Sequence, residues 1–383
     1  MAMNDLAVRT DALDLLLFDV CDNLQLSPTQ HQKAEDRYHS IAKVISAVNS
    51  PFRFWDSDIY SQGSMRLRTT VNPIDTPHDL DLVCEIDVSH AEVNPMALLD
   101  NMFKLFNEHG VYGGMVTKKN RCIRIEYKDE FWLDILPACR DDHNGGTCIQ
   151  VPDRDLRNWK PSNPIAYAEW FKNASRRIIV KFSDSRKALV VAEATVEPLP
   201  ALQVTEEKTM LQLVVQLLKR WRDIHYANSE YPPISIVLTT LAADLYTGEQ
   251  SISTAMLEVL DGIVGRLDAA HAQGRRLSVL NPVHLEEDFS ERWDSCPSAY
   301  LAFTDGIRRF AEAWRAVCTT HGNPGKLAKG IFGQVIDEAI LREARMMQTD
   351  RSNSLLGVAA TGRIVPVTAS VAPMIHNTNH GSL

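Results

Sequence analysis

An α+β fold is expected from three features of the sequence. Short apolar strands alternate with helices over roughly the first 150 to 180 residues, and helical periodicity dominates from residue 206 onward. One strand, Asp79-Leu80-Asp81-Leu82-Val83, carries two aspartates a single residue apart. The first two features describe a mixed α/β lobe followed by a helical lobe. At 383 residues the chain exceeds what one hydrophobic core usually covers, which also favours two lobes.

Residues 4 to 24 and 29 to 48 read as two helices divided by Leu26-Ser27-Pro28; in the second, Ala34, Tyr38, Ile41, Ile45 and Val48 recur at helical spacing. Phe52 to Tyr60 reads as a strand leading into Gln62-Gly63-Ser64, with a short helix over Met65 to Thr70. The aspartate strand, Asp79 to Ile86, comes next, then an amphipathic helix from Asn94 to Glu108, ended by Gly110. Arg121 to Tyr127 and Phe131 to Leu136 alternate as strands around Lys128-Asp129-Glu130, the pattern of an antiparallel hairpin. Beyond it, Glu206 to Ala227 is long and amphipathic, Pro232-Pro233 restarts a helix through Ile234 to Tyr246, and further helices are expected over 251–270, 297–320 and 325–347. The last 33 residues, from Arg351, hold no Asp or Glu and read as a flexible or partner-binding tail.

Net charge is −9, against the basic surplus of a protein built to grip long nucleic acid, so none is expected as an obligatory partner. The longest apolar stretches, Ala188 to Ala192 and Ile234 to Ala243, are too short or too polar to span a membrane. The first residues lack the basic and apolar regions of a signal peptide, and seven scattered cysteines fit reduced thiols, so a cytoplasmic protein is expected.

Alternate strand residues share a face, so Asp79 and Asp81 point the same way and repel unless a proton or cation sits between them. A third aspartate, Asp134, lies between Trp132 and Leu136 on one face of the later strand. One such aspartate alone is better explained as facing solvent; three on adjacent strands behind a Gly-Ser turn point to a metal site. Hard divalent ions with oxygen ligands fit: two Mg2+, with Mn2+ as the substitute, held by Asp79, Asp81 and Asp134. Asp134 is then the proton acceptor for an attacking hydroxyl, while Ser64 and the Gly63-Ser64 turn bind terminal phosphates of a triphosphate. Glu85 shares the face but lies roughly 13 Å beyond Asp81, outside the metal site.

Gln62-Gly63-Ser64, the Asp79–Val83 strand and Trp132-Leu133-Asp134-Ile135-Leu136-Pro137 resemble the cGAS/DncV-like nucleotidyltransferases of bacteria, the CD-NTases of CBASS antiphage signalling. The resemblance extends to Pro164–Phe171, Leu217-Leu218-Lys219-Arg220-Trp221, and Asn281-Pro282 followed by Glu286, Asp288, Phe289 and Trp293. It implies a polymerase-β-like nucleotidyltransferase lobe, a mixed sheet with flanking helices, plus a helical OAS-like C-terminal lobe. The corresponding domains are N-terminal helices across both lobes (1–50), a catalytic core (51–200), a helical lobe (201–350) and a tail (351–383). It further implies synthesis of a cyclic di- or trinucleotide from ATP and a second NTP, with HORMA-type or conjugating-enzyme regulators and a monomeric state. By the same resemblance Lys219 contacts the triphosphate and Ser235 assists it; read from sequence alone, Lys219 equally caps a helix end and Ser235 an N-terminus. The alternative output is a linear oligonucleotide or modification of another acceptor.

Lesser candidates have plainer readings. Cys139, His143 and Cys148 match no common zinc spacing and read as loop residues. Lys118, Lys119 and Arg121 read as a solvated hairpin edge, Arg66 and Arg68 as surface residues of the short helix, and Tyr60 and Trp132 as core aromatics rather than base-stacking platforms.

Overall fold

The computed structural model describes residues 2–74, 76–128, 130–176, 197–320, 322–352, 356–358 and 364–366. Helix α1 (Ala2–Asn23) is followed by α2 (Pro28–Ile45), which starts at a capping box. There the Ser27 side chain accepts from the Gln30 N–H, Gln30 reaches back to the Ser27 N–H, and Pro28 occupies the first turn. The elements of the mixed α/β lobe follow in the order β1 (Ser57–Ser61), α3 (Gly63–Leu67), β2 (His78–Ser89), α4 (Pro95–Asn107), β3 (Val116–Lys118), β4 (Ile123–Tyr127), β5 (Phe131–Arg140), β6 (Ile149–Asp153), β7 (Asn158–Ser162) and α5 (Pro164–Ser175). The helical part comprises α6 (Met210–His225), α7 (Ser235–Leu245), α8 (Ile252–Ala272), the small hairpin β8 (Leu280–Asn281) and β9 (His284–Asp288), α9 (Arg292–Ser295), α10 (Pro297–Thr319), α11 (Pro324–Phe332) and α12 (Val335–Ser352). A last hairpin pairs β10 (Leu356–Val358) with β11 (Ile364–Pro366).

The main sheet is mixed. β2 lies antiparallel to β1 and parallel to β5; β4 and β3 continue from β5 antiparallel, while the far end of β5 pairs with β6 and then β7. Strand alternation sends Leu80, Leu82, Cys84 and Ile86 of β2 into a core with Leu133 and Ile135 of β5, Met102 and Phe106 of α4, and Tyr38, Ile41 and Ile45 of α2. A second core joins α6 through α12 and takes in Leu17 and Val20 of α1 together with Tyr167 and Phe171 of α5. The two N-terminal helices thus serve different cores, and α5 leaves its own lobe to pack with the helices.

Several expectations are corrected. The strand expected from Phe52 begins only at Ser57; residues 51–55 form turns that bury Phe52 in the sheet core. The helix expected over 325–347 is two helices, broken at Gly333, whose φ of +74° suits glycine and whose Cβ position lies 2.8 Å from Ile224 Cδ1. Strands β3, β6, β7, β8 and β9 have no counterpart in the sequence reading, because two to five residues, many of them polar or proline, give little periodicity. The Ala188–Ala192 stretch and most of the 351–383 tail lie outside the described residues. No helix among the described residues is long and apolar enough to cross a membrane.

Polar groups also tie the lobes together. Glu291 binds Arg121 at 2.6 Å and also Lys160, Arg121 holds Asp153 at 2.8 Å, and Ser162 donates to Glu287, which Asn281 also reaches. The basic run is therefore spent on structure: Lys118 pairs with Asp100 and Arg121 with two carboxylates.

Candidate active site

A cleft of about 680 Å³ opens between α3 and β2 on one side and α6 and α7 on the other, within the size range of small-ligand sites. Gly63, Ser64, Asp79, Asp81, Lys219 and Ser235 all line it. Gln62 precedes α3 and donates its backbone N–H to the Asp81 carbonyl at 2.9 Å, fixing the Gly-Ser turn against the aspartate strand. Gly63 adopts φ +58°, and a Cβ there would lie 2.6 Å from Asp81 Oδ2. Both the backbone conformation and the close approach require glycine.

The parallel register pairs Asp81 with Asp134 and Asp79 with Trp132, so the three carboxylates occupy neighbouring positions on one sheet face. Their environments differ. Asp79 stands at the mouth, its side chain 56% exposed, whereas Asp134 is 18% exposed. Burial, followed by the charges of Asp134 and Asp79, pushes the Asp81 carboxyl up to about 7. Glu85 stays outside this group and accepts a hydrogen bond from Tyr60 at 2.9 Å; Tyr60 itself is buried and does not present a stacking face.

Arg124 is the residue that sequence reasoning missed. It stands opposite Asp134 in the β4–β5 register, places Nε and Nη2 at 2.7 and 2.8 Å from the two Asp134 oxygens, and reaches Asp79 at 3.5 Å. Its guanidinium lies 4.6 Å from the Trp132 ring centroid, which accounts for that tryptophan. The hairpin turn offered a signal: if Tyr127 pairs with Phe131, Arg124 must pair with Asp134.

No group of three His, Cys, Asp or Glu side chains among the described residues is arranged as a finished cation cage. The fork of Arg124 on Asp134 explains this in the aspartate group, since it turns both oxygens toward the guanidinium. The donor set nonetheless fits a hard divalent cation: three carboxylates side by side, one of them, Asp81, held protonated to near neutrality by burial and by the charges of the other two. The Cys139, His143 and Cys148 set is not a zinc site. Cys139 is buried within β5, and Cys148 Sγ accepts from Asn163 at 3.2 Å.

Lys219 does not cap a helix end: it sits inside α6, 6% exposed, donating to the Thr69 carbonyl at 3.0 Å and the Thr69 hydroxyl at 2.9 Å. Burial, with Arg222 nearby, pulls its pKa down to about 7. It belongs to a row of α6 donors that hold the segment after α3: Gln212 to the Leu67 carbonyl, Gln216 to Thr70 and Arg220 to Asn72. Two of its three N–H groups are thereby used on the wall of the cleft. Ser235 is not an N-cap either; Ile234 holds that position, and the Ser235 hydroxyl accepts from Arg222. Arg66 pairs with Glu197 at 2.8 Å, away from the aspartates, and Arg68 is an exposed left-handed residue whose carbonyl accepts from Lys208.

Comparison with known proteins was made on this framework. Residues 15–174 match the Second Messenger Oligonucleotide or Dinucleotide Synthetase domain family. The chain is similar to a c-di-GMP synthase of Roseivirga ehrenbergii, 29% identical over 379 residues that span 96% of this chain and 97% of the relative. It is also similar to the cyclic dinucleotide synthase CdnG of Bradyrhizobium diazoefficiens, 26% identical over 95% of this chain and 93% of the relative. The structure of that CdnG in complex with GTP superposes with a TM-score of 0.71 at 25% identity, covering 87% of this chain and 99% of the other. The E. coli MS115-1 CdnC:HORMA-deltaN complex gives a TM-score of 0.57 at 13% identity over 82% and 94% of the two chains, a likeness of fold.

Proposed function

We propose that this chain, a nucleotidyltransferase of the cGAS/DncV-like type and a cyclic oligonucleotide synthase, joins two guanosine triphosphates into a cyclic dinucleotide that signals in antiphage defence. The observation that carries this reading is the placement of Asp81, flanked by Asp79 and in register with Asp134, at the floor of a nucleotide-sized cleft and against Gly63. Guanosine is chosen because the relatives matched along nearly their whole lengths are a c-di-GMP synthase and a cyclic dinucleotide synthase seen with GTP.

Asp79, Asp81 and Asp134 would hold two Mg2+ ions, which when bound neutralise triphosphate charge and make a hydroxyl easier to deprotonate. Ser64 and the remaining N–H of Lys219 border the space for the triphosphate. Asp134 would take the proton from the attacking hydroxyl, with Arg124, which forks onto it, as the neighbouring positive charge. Attack on the α-phosphorus forms the phosphodiester and releases pyrophosphate. The linear product keeps its 5′ triphosphate; closing the ring requires it to rebind with that triphosphate over the aspartates and its free hydroxyl in the acceptor place. The net charge of −9 supports activity without DNA or RNA, and strict dependence on added duplex would contradict that.

Incubation with each labelled NTP and Mg2+, followed by phosphatase, tests the reading. A cyclic product keeps its mobility; a linear one loses terminal phosphates and shifts. Metal binding by the nucleotide-free protein gives a second check. Below about pH 7 Asp81 is protonated, so an entering ion must displace that proton. Mn2+ affinity, followed by electron paramagnetic resonance, is expected to fall by up to about tenfold per pH unit below 7 and to level off above it. Arg124→Met removes the cation that competes for Asp134, and is expected to tighten Mn2+ binding several-fold at pH 8. Unchanged or weaker binding would show that the Arg124–Asp134 pair does not oppose metal entry.

A further inference from the structure

We infer that Asp223 reads the base of the bound nucleotide and selects guanine, its carboxylate accepting from the N1–H and the 2-amino group. The inference rests on the nucleotidyltransferase reading and adds the specificity element to it.

Helix α6 presents Lys219, Arg222 and Asp223 to the cleft, the spacing of one helical face, and Tyr226 and Ala227 just past its end line it too. Asp223 lies four residues past Lys219, about 6 Å along the helix axis. The α6 donors run along the 67–72 segment from Gln212 on Leu67, through Gln216 on Thr70 and Lys219 on Thr69, to Arg220 on Asn72, and Pro73 and Ile74, which follow Asn72, line the same cleft as the next turn of α6. Asp223 is therefore displaced from the Gly63-Ser64 turn toward a part of the cleft bordered by Val71, Pro73, Ile74, Pro232, Ile234 and Ile236. Apolar walls of this kind suit the faces of a flat base.

Among the described residues lining the cleft, Asp223 is the single carboxylate besides Asp79 and Asp81. A carboxylate beside a triphosphate is repulsive, so its place in this wall calls for a ligand that offers hydrogen-bond donors there. Arg222 fixes it: Nη2 lies 3.0 Å from Asp223 Oδ1 while Nη1 donates to Ser235 on α7. No donor to Oδ2 is found among the described residues. An ionised carboxylate accepts about four hydrogen bonds, so both oxygens retain capacity after Arg222. Guanine is the common base that offers two adjacent donors on one edge. Adenine places the N1 acceptor there, and cytosine places N3, each set against the carboxylate. Uracil offers a lone N3–H between two carbonyls.

The test uses Asp223→Asn and the GTP, ITP, XTP and ATP series, with 2′-deoxy-GTP to separate base from ribose recognition. An asparagine amide can donate to the 2-oxo group of xanthine where the aspartate cannot. Wild type is expected to bind GTP at least about 100-fold more tightly than XTP, and less tightly ITP, which lacks the 2-amino group. Asp223→Asn is expected to reverse the GTP/XTP order in both binding and kcat/KM, with its melting temperature unchanged. Equal losses on all bases, no gain with XTP, or a defect that disappears with 2′-deoxy-GTP would overturn the assignment. Calorimetric binding reads the base without turnover: a protein showing the reversal in binding but releasing no pyrophosphate would sink the synthase reading alone.

Discussion

Replacing Asp81 by asparagine is expected to abolish cyclic product formation, by at least about 10³-fold in kcat, while raising the melting temperature of the nucleotide-free protein at pH 8. The loss follows from removing one member of a carboxylate group that acts as a unit. The gain follows from the price of keeping Asp81 ionised without a cation. Its folded pKa, pushed up to about 7, exceeds the ordinary carboxylate value of 3.8, so between those limits the folded state binds more protons than the unfolded one. Stability therefore falls as pH rises from about 4 to 7, and that component of the slope is absent from Asp81→Asn. Lys219, lowered to about 7, has its linkage window above 7 and contributes with the opposite sign, so the two windows do not overlap. Thermal melts across pH together with pyrophosphate release separate the effects. A variant that lost activity and also melted well below wild type at pH 8 would show that Asp81 serves structure more than chemistry.

The second large effect is expected at Gly63. Alanine there meets two obstacles, the φ of +58° and the Asp81 oxygen 2.6 Å from its Cβ. The backbone alone costs about 1–2 kcal/mol. The contact must move either the turn or the carboxylate, and a displacement of about 1 Å at a reacting centre is worth about 100-fold in rate. Gly63→Ala should thus lose about 100-fold in kcat with a modest drop in denaturation midpoint. Full activity with an unchanged midpoint would mean that the turn and Asp81 are not in contact during catalysis.

The difference between what the sequence discloses and what it conceals is physical. Asp79 and Asp81 are legible because strand alternation is local, and Asp134 because its strand carries the same apolar-polar pattern. Gly63 is conspicuous as a glycine, but its contact with the Asp81 side chain depends on how α3 meets β2, which no local rule supplies. Arg124 is reachable only through hairpin register, because nothing local marks a strand arginine as facing a carboxylate on the next strand. Lys219 was found as a residue but not in its surroundings: its hydrogen bonds to Thr69 span 150 positions, and nothing local distinguishes a buried lysine from one at a helix end. Asp223 has no local mark that sets it apart from the other charges near the end of α6, and only the segment folded against that helix makes the cleft it lines. The split of 325–347 into α11 and α12 has the same origin, a glycine in the left-handed region against Ile224, where a Cβ would not fit.

The most direct measurement is the mass of the product made by the purified protein from GTP and Mg2+ alone. The expected product contains two guanylate units closed into a ring, carries no terminal phosphate, resists phosphatase, and is absent when Asp79 and Asp81 are both replaced by alanine. A linear chain bearing a 5′ triphosphate as the sole end product, or undiminished synthesis by the double variant, would contradict the account.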